Sequence, residues 1–416
     1  MTTTLTATPT ATPLTPRSAP RTRPFGRPPA AAVLDAARRA GPICRDELAT
    51  ATALSHATVN RQVTRLLDVG LLRERPDLVP AGAVGRPRVP VELDPDEFGV
   101  LGIHIGRART TLAAGDLRGR VLDAVEIPTP SGAPADVVTL LTARLRRFGA
   151  RWPGRRMLRV GLVLGGQPGA AGRPHPVAEL AARFAGSDVV VVPQLEAMVG
   201  AETLLTRHPA DGTTLYVYAR DAVASVLTVD GALPGTGAGA GTISHLPVGG
   251  AARCHCGATG CLEASVGDAA VAAAAHAAGI VRIPDIAEVI ATAERGDRAA
   301  HELLVERATL LGRGVALARD VLDPDRVVLL GQAFTGYRAG LDHVRASFAA
   351  TSVLAPLGLG VSALGAAPQA LAACTAALRP VYADPLEAVR SARPRPHGAS
   401  AEQATARRVN YGGGRP

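Results

Sequence analysis

The chain contains no lysine: all 45 of its basic residues are arginine, set against 36 acidic residues. With 45 glycines and 33 prolines, this looks like a GC-rich coding bias. A single arginine therefore carries little weight as a functional signal. Aromatic residues make up only 3% of the chain, so Ala, Val and Leu must fill the cores. No apolar run reaches the roughly 18 residues that span a bilayer, and the N-terminus has no apolar core of signal-peptide type. The expectation is a cytoplasmic protein with no membrane partner. Cysteine is scarce and odd in number: Cys44, Cys254, Cys256, Cys261 and Cys374. Three bunched together argue for metal rather than disulfides. The 47% of hydrophobic residues excludes a chain disordered throughout, and 416 residues suffice for two or three domains.

What is present is unevenly placed. The net charge is +9. Residues 1–29 hold four arginines and no acid, and residues 30–90 hold nine arginines and six acids. Most of the excess therefore lies near the N-terminus, an electrostatic footprint suited to a polyanion.

That region carries the main motif, Ile43 to Val69. Glu47, Leu48 and Ala49 belong to one short helix, and Leu54-Ser55 makes a turn. A second helix follows, with Ser55 at its N-cap position. Val59, Val63, Leu66 and Leu67 recur as one apolar stripe at the 3.6-residue period. Ala57, Asn60, Arg61 and Thr64 face the other way, flanked by Thr58 and Arg65. This is the layout of a helix-turn-helix, whose second helix enters the DNA major groove. The plainer alternative is a small helical hairpin. Thr58, Asn60, Arg61 and Thr64 are the candidates on the groove side, and Arg65 is a phosphate candidate. Leu71–Arg75 and Arg88–Leu93 then read as two strands of a wing around a Pro/Gly-broken loop. At its tip, Gly85-Arg86-Pro87 presents Arg86 as a candidate for a narrow minor groove, or as an ordinary loop residue.

The remainder reads in order. Residues 1–29 are expected as a disordered basic tail, 30–95 as a winged helix-turn-helix and 381–416 as a second disordered tail. Between them, strands mixed with helices appear twice, which suggests two α/β lobes, 96–212 and 213–380. The most specific chemical signal is His245-x8-Cys254-His255-Cys256-x4-Cys261. Three sulfurs and one imidazole suit tetrahedral Zn²⁺, and a closed set of four leaves no open position for catalysis. The metal ligands are thus His245, Cys254, Cys256 and Cys261, with His255 spare. Free cysteines are the alternative. Cys44 and Cys374 are expected as buried thiols.

Here the chain resembles a family. Gly235-x-x-x-Gly239-x-Gly241-Thr242-Ile243-Ser244-His245, followed by Cys254-x-Cys256-Gly257-x-x-Gly260-Cys261-Leu262-Glu263, is similar to the signature of the ROK family (repressors, open reading frames and sugar kinases). The resemblance covers roughly residues 30 to 380. It implies two lobes with the actin-like ATPase fold. It also implies a homodimer or homotetramer that binds operator DNA and responds to a sugar, with His245 and Glu263 as surviving ligand contacts. Glu263 could equally be a loop carboxylate.

The kinase half of the resemblance fits poorly. The family's first phosphate loop, Asp-x-Gly-Gly-Thr, reads His104-Ile105-Gly106-Arg107-Ala108 here. Its Asn-Asp pair, which holds the sugar and supplies the general base, reads Pro193-Gln194. Glutamine takes no proton from a hydroxyl at neutral pH. The paired glycines of the adenosine site read Gly331-Gln332, and Glu-x-Gly-His reads Thr242-Ile243-Ser244-His245. The expectation is a non-enzymatic, DNA-binding regulator, most simply a repressor, with a degenerate sugar pocket. A sugar kinase with an attached DNA module is the alternative. A third reading is a regulator whose lobes only dimerise.

Overall fold

Pro29 opens the first helix, α1 (Pro29–Ala40), where a missing N–H costs nothing. Ala30, Ala31, Val33, Leu34 and Ala37 form its buried face. The computed structural model describes residues 28–79, 88–106, 109–165, 189–205, 212–233, 240–241, 243–365 and 367–392. Outside them lie the wing tip with Arg86, and Arg107, Ala108, Gly166, Gly235, Gly239 and Thr242. Most of the two expected tails also lies outside.

Helix α2 (Arg45–Thr52) begins where the Glu47 carboxylate accepts the Cys44 N–H at 2.8 Å. It ends at Ala53, in the left-handed region at φ +52°. Helix α3 (His56–Asp68) is capped by Ser55, whose hydroxyl accepts the Thr58 N–H at 3.2 Å. Val59, Val63 and Leu66 are fully buried. Gln62, three residues after Val59 and four before Leu66, is buried beside them, while Leu67 is only half-buried. Strands β1 (Leu72–Glu74) and β2 (Val91–Leu93) pair antiparallel, shorter than expected.

The first large sheet holds β3 (Phe98–Ile105), β4 (Arg109–Asp116), β5 (Val121–Pro128), β6 (Arg156–Leu164) and β7 (Val189–Pro193) in the order β5-β4-β3-β6-β7. Helix α4 (Pro134–Gly149) covers one face through Val137, Leu141, Leu145 and Phe148. Helix α5 (Gln194–Leu205) follows β7 directly. The second sheet repeats the pattern. Strands β8 (Thr213–Ala219), β9 (Val223–Val229), β10 (Ala240–Gly241), β11 (Arg326–Leu330) and β12 (Leu359–Val361) lie in the order β10-β9-β8-β11-β12. In each sheet an antiparallel meander is extended by two parallel strands. The duplicated topology is the two-lobed, actin- and hexokinase-like fold expected from the sequence.

The second lobe carries α6 (Leu262–Val266), α7 (Asp268–Ala277), α8 (Ile286–Glu294), the long α9 (Arg298–Leu322), α10 (Gln332–Thr335) and α11 (Gly340–Thr351). Leu311 and Val315 of α9 and Phe348 of α11 pack on Leu215, Val217 and Leu329 of the sheet. None of the helices among the described residues is long and apolar enough to cross a membrane.

The C-terminal region departs from expectation. Helix α12 (Pro368–Ala383) falls in the stretch assigned to the second lobe, yet it packs on the first lobe's sheet. Ala373 is the reason: a Cβ added at Gly161 would sit 2.1 Å from the Ala373 carbonyl oxygen, and one at Gly102 would sit 2.7 Å from Ala373 Cβ. Glycine on the strands and alanine on the helix let two backbones touch. Cys374 is wholly buried there, and burial pushes its thiol up to about 12. Cys44, in contrast, is only half-buried. Residues 381–392, expected as tail, instead complete α12 and form α13 (Pro385–Ser391), capped by Asp384. Pro385 stands at the start of its helix, where its missing N–H costs nothing, whereas Pro380 lies within the last turn of α12.

The N-terminal unit is not strung on a linker. Its core is continuous with Phe98, Leu117 and Leu158 of the first lobe and with Tyr382, Leu386 and Val389 of α12 and α13. Arg38 of α1 lies 5.5 Å from the Tyr382 ring centroid and donates to the Leu204 carbonyl at 2.6 Å. Arg156 donates to the Val389 and Ala392 carbonyls at 2.8 and 2.9 Å.

Candidate functional site

The outer face of α3 carries Asn60, Arg61, Thr64 and Arg65, all exposed. Their side chains have no hydrogen-bond or ion-pair partner among the described residues. Thr58 is half-buried and differs from them: its hydroxyl bonds Ser55 Oγ at 2.9 Å, within the helix cap. The groove-side candidates thus share a helix face, with Thr58 at its N-terminal edge. Arg86 lies outside the described residues.

Behind the wing sits a cluster that sequence reading missed. Glu92 of β2 is 3% exposed and is met by three guanidiniums. Arg73 reaches it at 2.7 Å, Arg75 at 2.8 Å and Arg118, from the β4–β5 turn, at 2.9 Å. Burial opposes its charge, but the Arg73 and Arg75 hydrogen bonds outweigh that and hold its carboxyl below the usual range. An alternating Val-Glu-Leu strand gives no sign that its acid points inward. Here it ties the wing to the first lobe.

The cysteine knuckle forms as a cluster. The ligand atoms of His245, Cys254, Cys256 and Cys261 all lie within 4.8 Å of one another. Cys256 and Cys261 sulfurs are 3.6 Å apart, and His245 Nδ1 is 3.4 Å from Cys254 Sγ. Zn–S bonds at tetrahedral angles place sulfurs about 3.8 Å apart, so the donor set fits such an ion. Gly257 and Gly260 turn the chain at φ +93° and +80°. A backbone hydrogen bond from Ala258, with help from the neighbouring sulfurs, lowers the Cys256 thiol. Desolvation and those sulfurs push Cys261 the other way. His255 stacks edge-on against His245, outside the four-atom set.

Glu263 begins α6 immediately beyond the knuckle. Its Oε2 accepts the Val223 N–H at 2.9 Å, and Ser244 Oγ donates to the Val223 carbonyl at 2.9 Å. The loop thereby holds strand β9. His245 is exposed, and Glu263 is half-buried.

The cleft between the lobes is occupied by side chains. His104, at the end of β3, is 5% exposed. Its Nε2 lies 3.3 Å from Gln194 Oε1, and Gln194 Nε2 donates to the Tyr218 hydroxyl at 2.7 Å. Burial above all drives the His104 pKa down to about 4. Burial likewise pushes Tyr218 up to about 12. Next to Tyr218 is a cavity of about 440 Å³, lined by Arg220, Gly331, Gln332, Ser362 and Gln369 among others. No carboxylate among the described residues lines it.

The ROK family model matches residues 100–351, more than half of the chain. The chain belongs to the ROK family. A protein described as a transcriptional regulator in Mycobacterium tuberculosis is 44% identical to it over 390 residues, 87% of each chain. The DNA-binding transcriptional dual regulator NagC of Escherichia coli is 23% identical over 335 residues, 73% of this chain and 80% of its own. Among solved structures, a ROK family transcriptional regulator described as a homologue of the Escherichia coli MLC protein superposes with a TM-score of 0.71. It shares 21% identity and covers 87% of this chain and 98% of its own. A ROK family glucokinase from Streptomyces griseus gives a TM-score of 0.55 at 19% identity, covering 66% of this chain and 98% of its own. The ROK fold is therefore shared with kinases and regulators alike, and this chain is related to the regulators. Against the ROK kinase pattern, His104 and Gln194 stand where the two carboxylates belong, and the structure brings them within hydrogen-bond reach of each other.

Proposed function

We propose that this ROK protein is a sequence-specific DNA-binding transcriptional regulator, acting as a repressor, that does not phosphorylate sugars. The observation that carries this reading is the face of α3. Its apolar side seals the N-terminal core, while Asn60, Arg61, Thr64 and Arg65 stand exposed without partners. Side chains so placed suit a major groove, where Arg reads guanine and Asn reads adenine. Thr58, Asn60 and Arg61 are assigned to base edges, Thr64 to the groove wall, Arg65 to phosphate and Arg86 to the minor groove. The names of the relatives agree with a regulator. The proposed domains are a reading head at 30–95, a first lobe at 96–212 completed by residues 368–392, and a second lobe at 213–367.

In this reading His245, Cys254, Cys256 and Cys261 hold a structural Zn²⁺. His245 and Glu263 border the place of a sugar or sugar-derivative effector, and the working unit is a homodimer or homotetramer on a two-fold operator. A kinase would need a base and a metal-binding carboxylate in the cleft. Neither Gln194 nor His104 is a carboxylate, and an amide at 194 takes no proton from a sugar hydroxyl.

The test is anisotropy on the DNA upstream of the protein's own gene, with and without hexoses, amino sugars and sugar phosphates. Tight binding released by one compound is the expected result. Tight binding indifferent to every compound would leave the regulator and remove the effector. Sugar-dependent ATP turnover abolished by a cleft mutation would establish the kinase instead.

A further inference from the structure

Two crossing helices, α5 and α12, lie between the sheets of the two lobes. Val163 and Val192 of the first lobe and Tyr216, Tyr218 and Leu330 of the second pack on Leu195, Met198, Ala373 and Ala376 of those helices. Such a layer is apolar and undirected, and by itself allows sliding. Directed bonds decide which setting of the lobes is preferred. At the cleft end the bonded chain runs from His104 of the first lobe, through Gln194 at the head of α5, to Tyr218 of the second lobe. Farther along α5, Glu202 accepts Ser362 Oγ at 2.7 Å and the Ala363 N–H at 3.2 Å, both just past β12 of the second lobe.

We propose that His104, Gln194 and Tyr218 form an interlobe latch, a neutral hydrogen-bond relay built on the two positions that hold carboxylates in a ROK kinase, which fixes the lobes in one relative setting. This rests on the reading of the cleft as one that does not transfer phosphate. The relay has a defined direction. Tyr218 takes the amide N–H of Gln194, so Gln194 turns its oxygen to His104, which carries its proton on Nε2. Carboxylates at both positions would repel each other across the 3.3 Å that separates His104 Nε2 from Gln194 Oε1, and neither could donate to the other. Gln and His are neutral, and neutral groups tolerate the dry interface. His104 is buried deeply enough to stay uncharged at neutral pH.

The latch has a mechanical consequence. The reading head is tied to the first lobe by Glu92 and Arg38. Release of the latch therefore swings α3 together with the first lobe, relative to the second.

Hydrogen exchange on the full chain, read by mass spectrometry, tests this without DNA or sugar. Failure to bind DNA would leave the result standing, and the reverse also holds. Tyr218→Phe keeps the ring and removes the hydroxyl. The expected result is exchange about three- to tenfold faster, together, at the start of α5 and in β8, as loss of one net hydrogen bond gives. Gln194→Leu, close to it in size, removes both bonds and exceeds that effect. Exchange unchanged within twofold in Tyr218→Phe, or faster in β8 alone, overturns the latch and leaves Tyr218 a packing residue. Gln194→Leu exchanging as slowly as wild type overturns it as well.

Discussion

The outer face of α3 and the interlobe cleft are both polar, yet they treat their polar groups in opposite ways. Along α3, Asn60, Arg61, Thr64 and Arg65 bond to nothing among the described residues and face solvent. In the cleft, His104, Gln194 and Tyr218 are buried or half-buried and bond to one another. A surface that meets a ligand keeps its donors free until the ligand arrives. A cleft whose side chains bond one another makes a ligand compete for bonds already formed, and leaves His104 Nδ1 as a buried atom without a partner among the described residues. The difference suggests which end of the molecule still meets a partner directly and which end sets geometry.

The largest effect that would sharpen this contrast comes from the knuckle, which anchors β9 beneath the cleft. Stripping metal with a chelator, or Cys261→Ser, should lower the melting of the second lobe by on the order of 10 °C. The exchange rates of α1 to α3 should stay as they were. Calorimetry that finds no change would make the cluster four idle side chains. The next effect lies in the cleft and is read by pH. His104 sits near 4 in the folded chain against about 6.5 for a histidine in water, so between those values the unfolded chain binds the extra proton. The stability it contributes is complete above about pH 6.5 and is lost as pH falls toward about 4, by on the order of 3 kcal/mol. Urea unfolding at pH 7 and pH 5 should show that loss in wild type and a smaller one in His104→Asn. An identical loss in both would place the titration elsewhere.

On the open side, Arg61→Ala should weaken binding to the specific site by about 5- to 150-fold, with little change on unrelated DNA. Equal loss on both would make Arg61 a phosphate contact. The smallest effect is Arg65→Ala. Affinity should fall by less than about tenfold on every sequence, and the salt slope should drop by about one. A change in sequence preference would break that assignment.

Much of this was legible beforehand where the signal is local. Val59, Val63 and Leu66 mark a helix face by spacing alone, and Ser55 marks its start. The four knuckle ligands lie within 17 residues, so their meeting needs only a short loop. Non-local features were not legible. Nothing about Ala373 in the chain says that Gly102 and Gly161, more than 200 residues earlier, leave it a place. Residues 385–391 precede a run rich in Pro and Arg and looked like tail, although Pro385 and Asp384 are start signals for a helix. Glu92 gave no local sign of burial, since one of the arginines that pair with it, Arg118, comes from the first lobe. His104 and Gln194 could be read as losses from a kinase pattern, but their bond to each other and to Tyr218 depends on how the lobes meet.

The docking of α1 on α12 also has a consequence in time. Arg38 is made early, and Tyr382, whose ring it covers, follows 344 residues later. At ribosomal speeds of about 5–20 residues per second, that interval is about 20 to 70 s. During this wait the head can meet the part of its seat formed by Phe98, Leu117 and Leu158, while the part formed by α12 and α13 is still missing. A nascent chain thus holds a half-seated reading head, and the emergence of α12 and α13 completes its bearing.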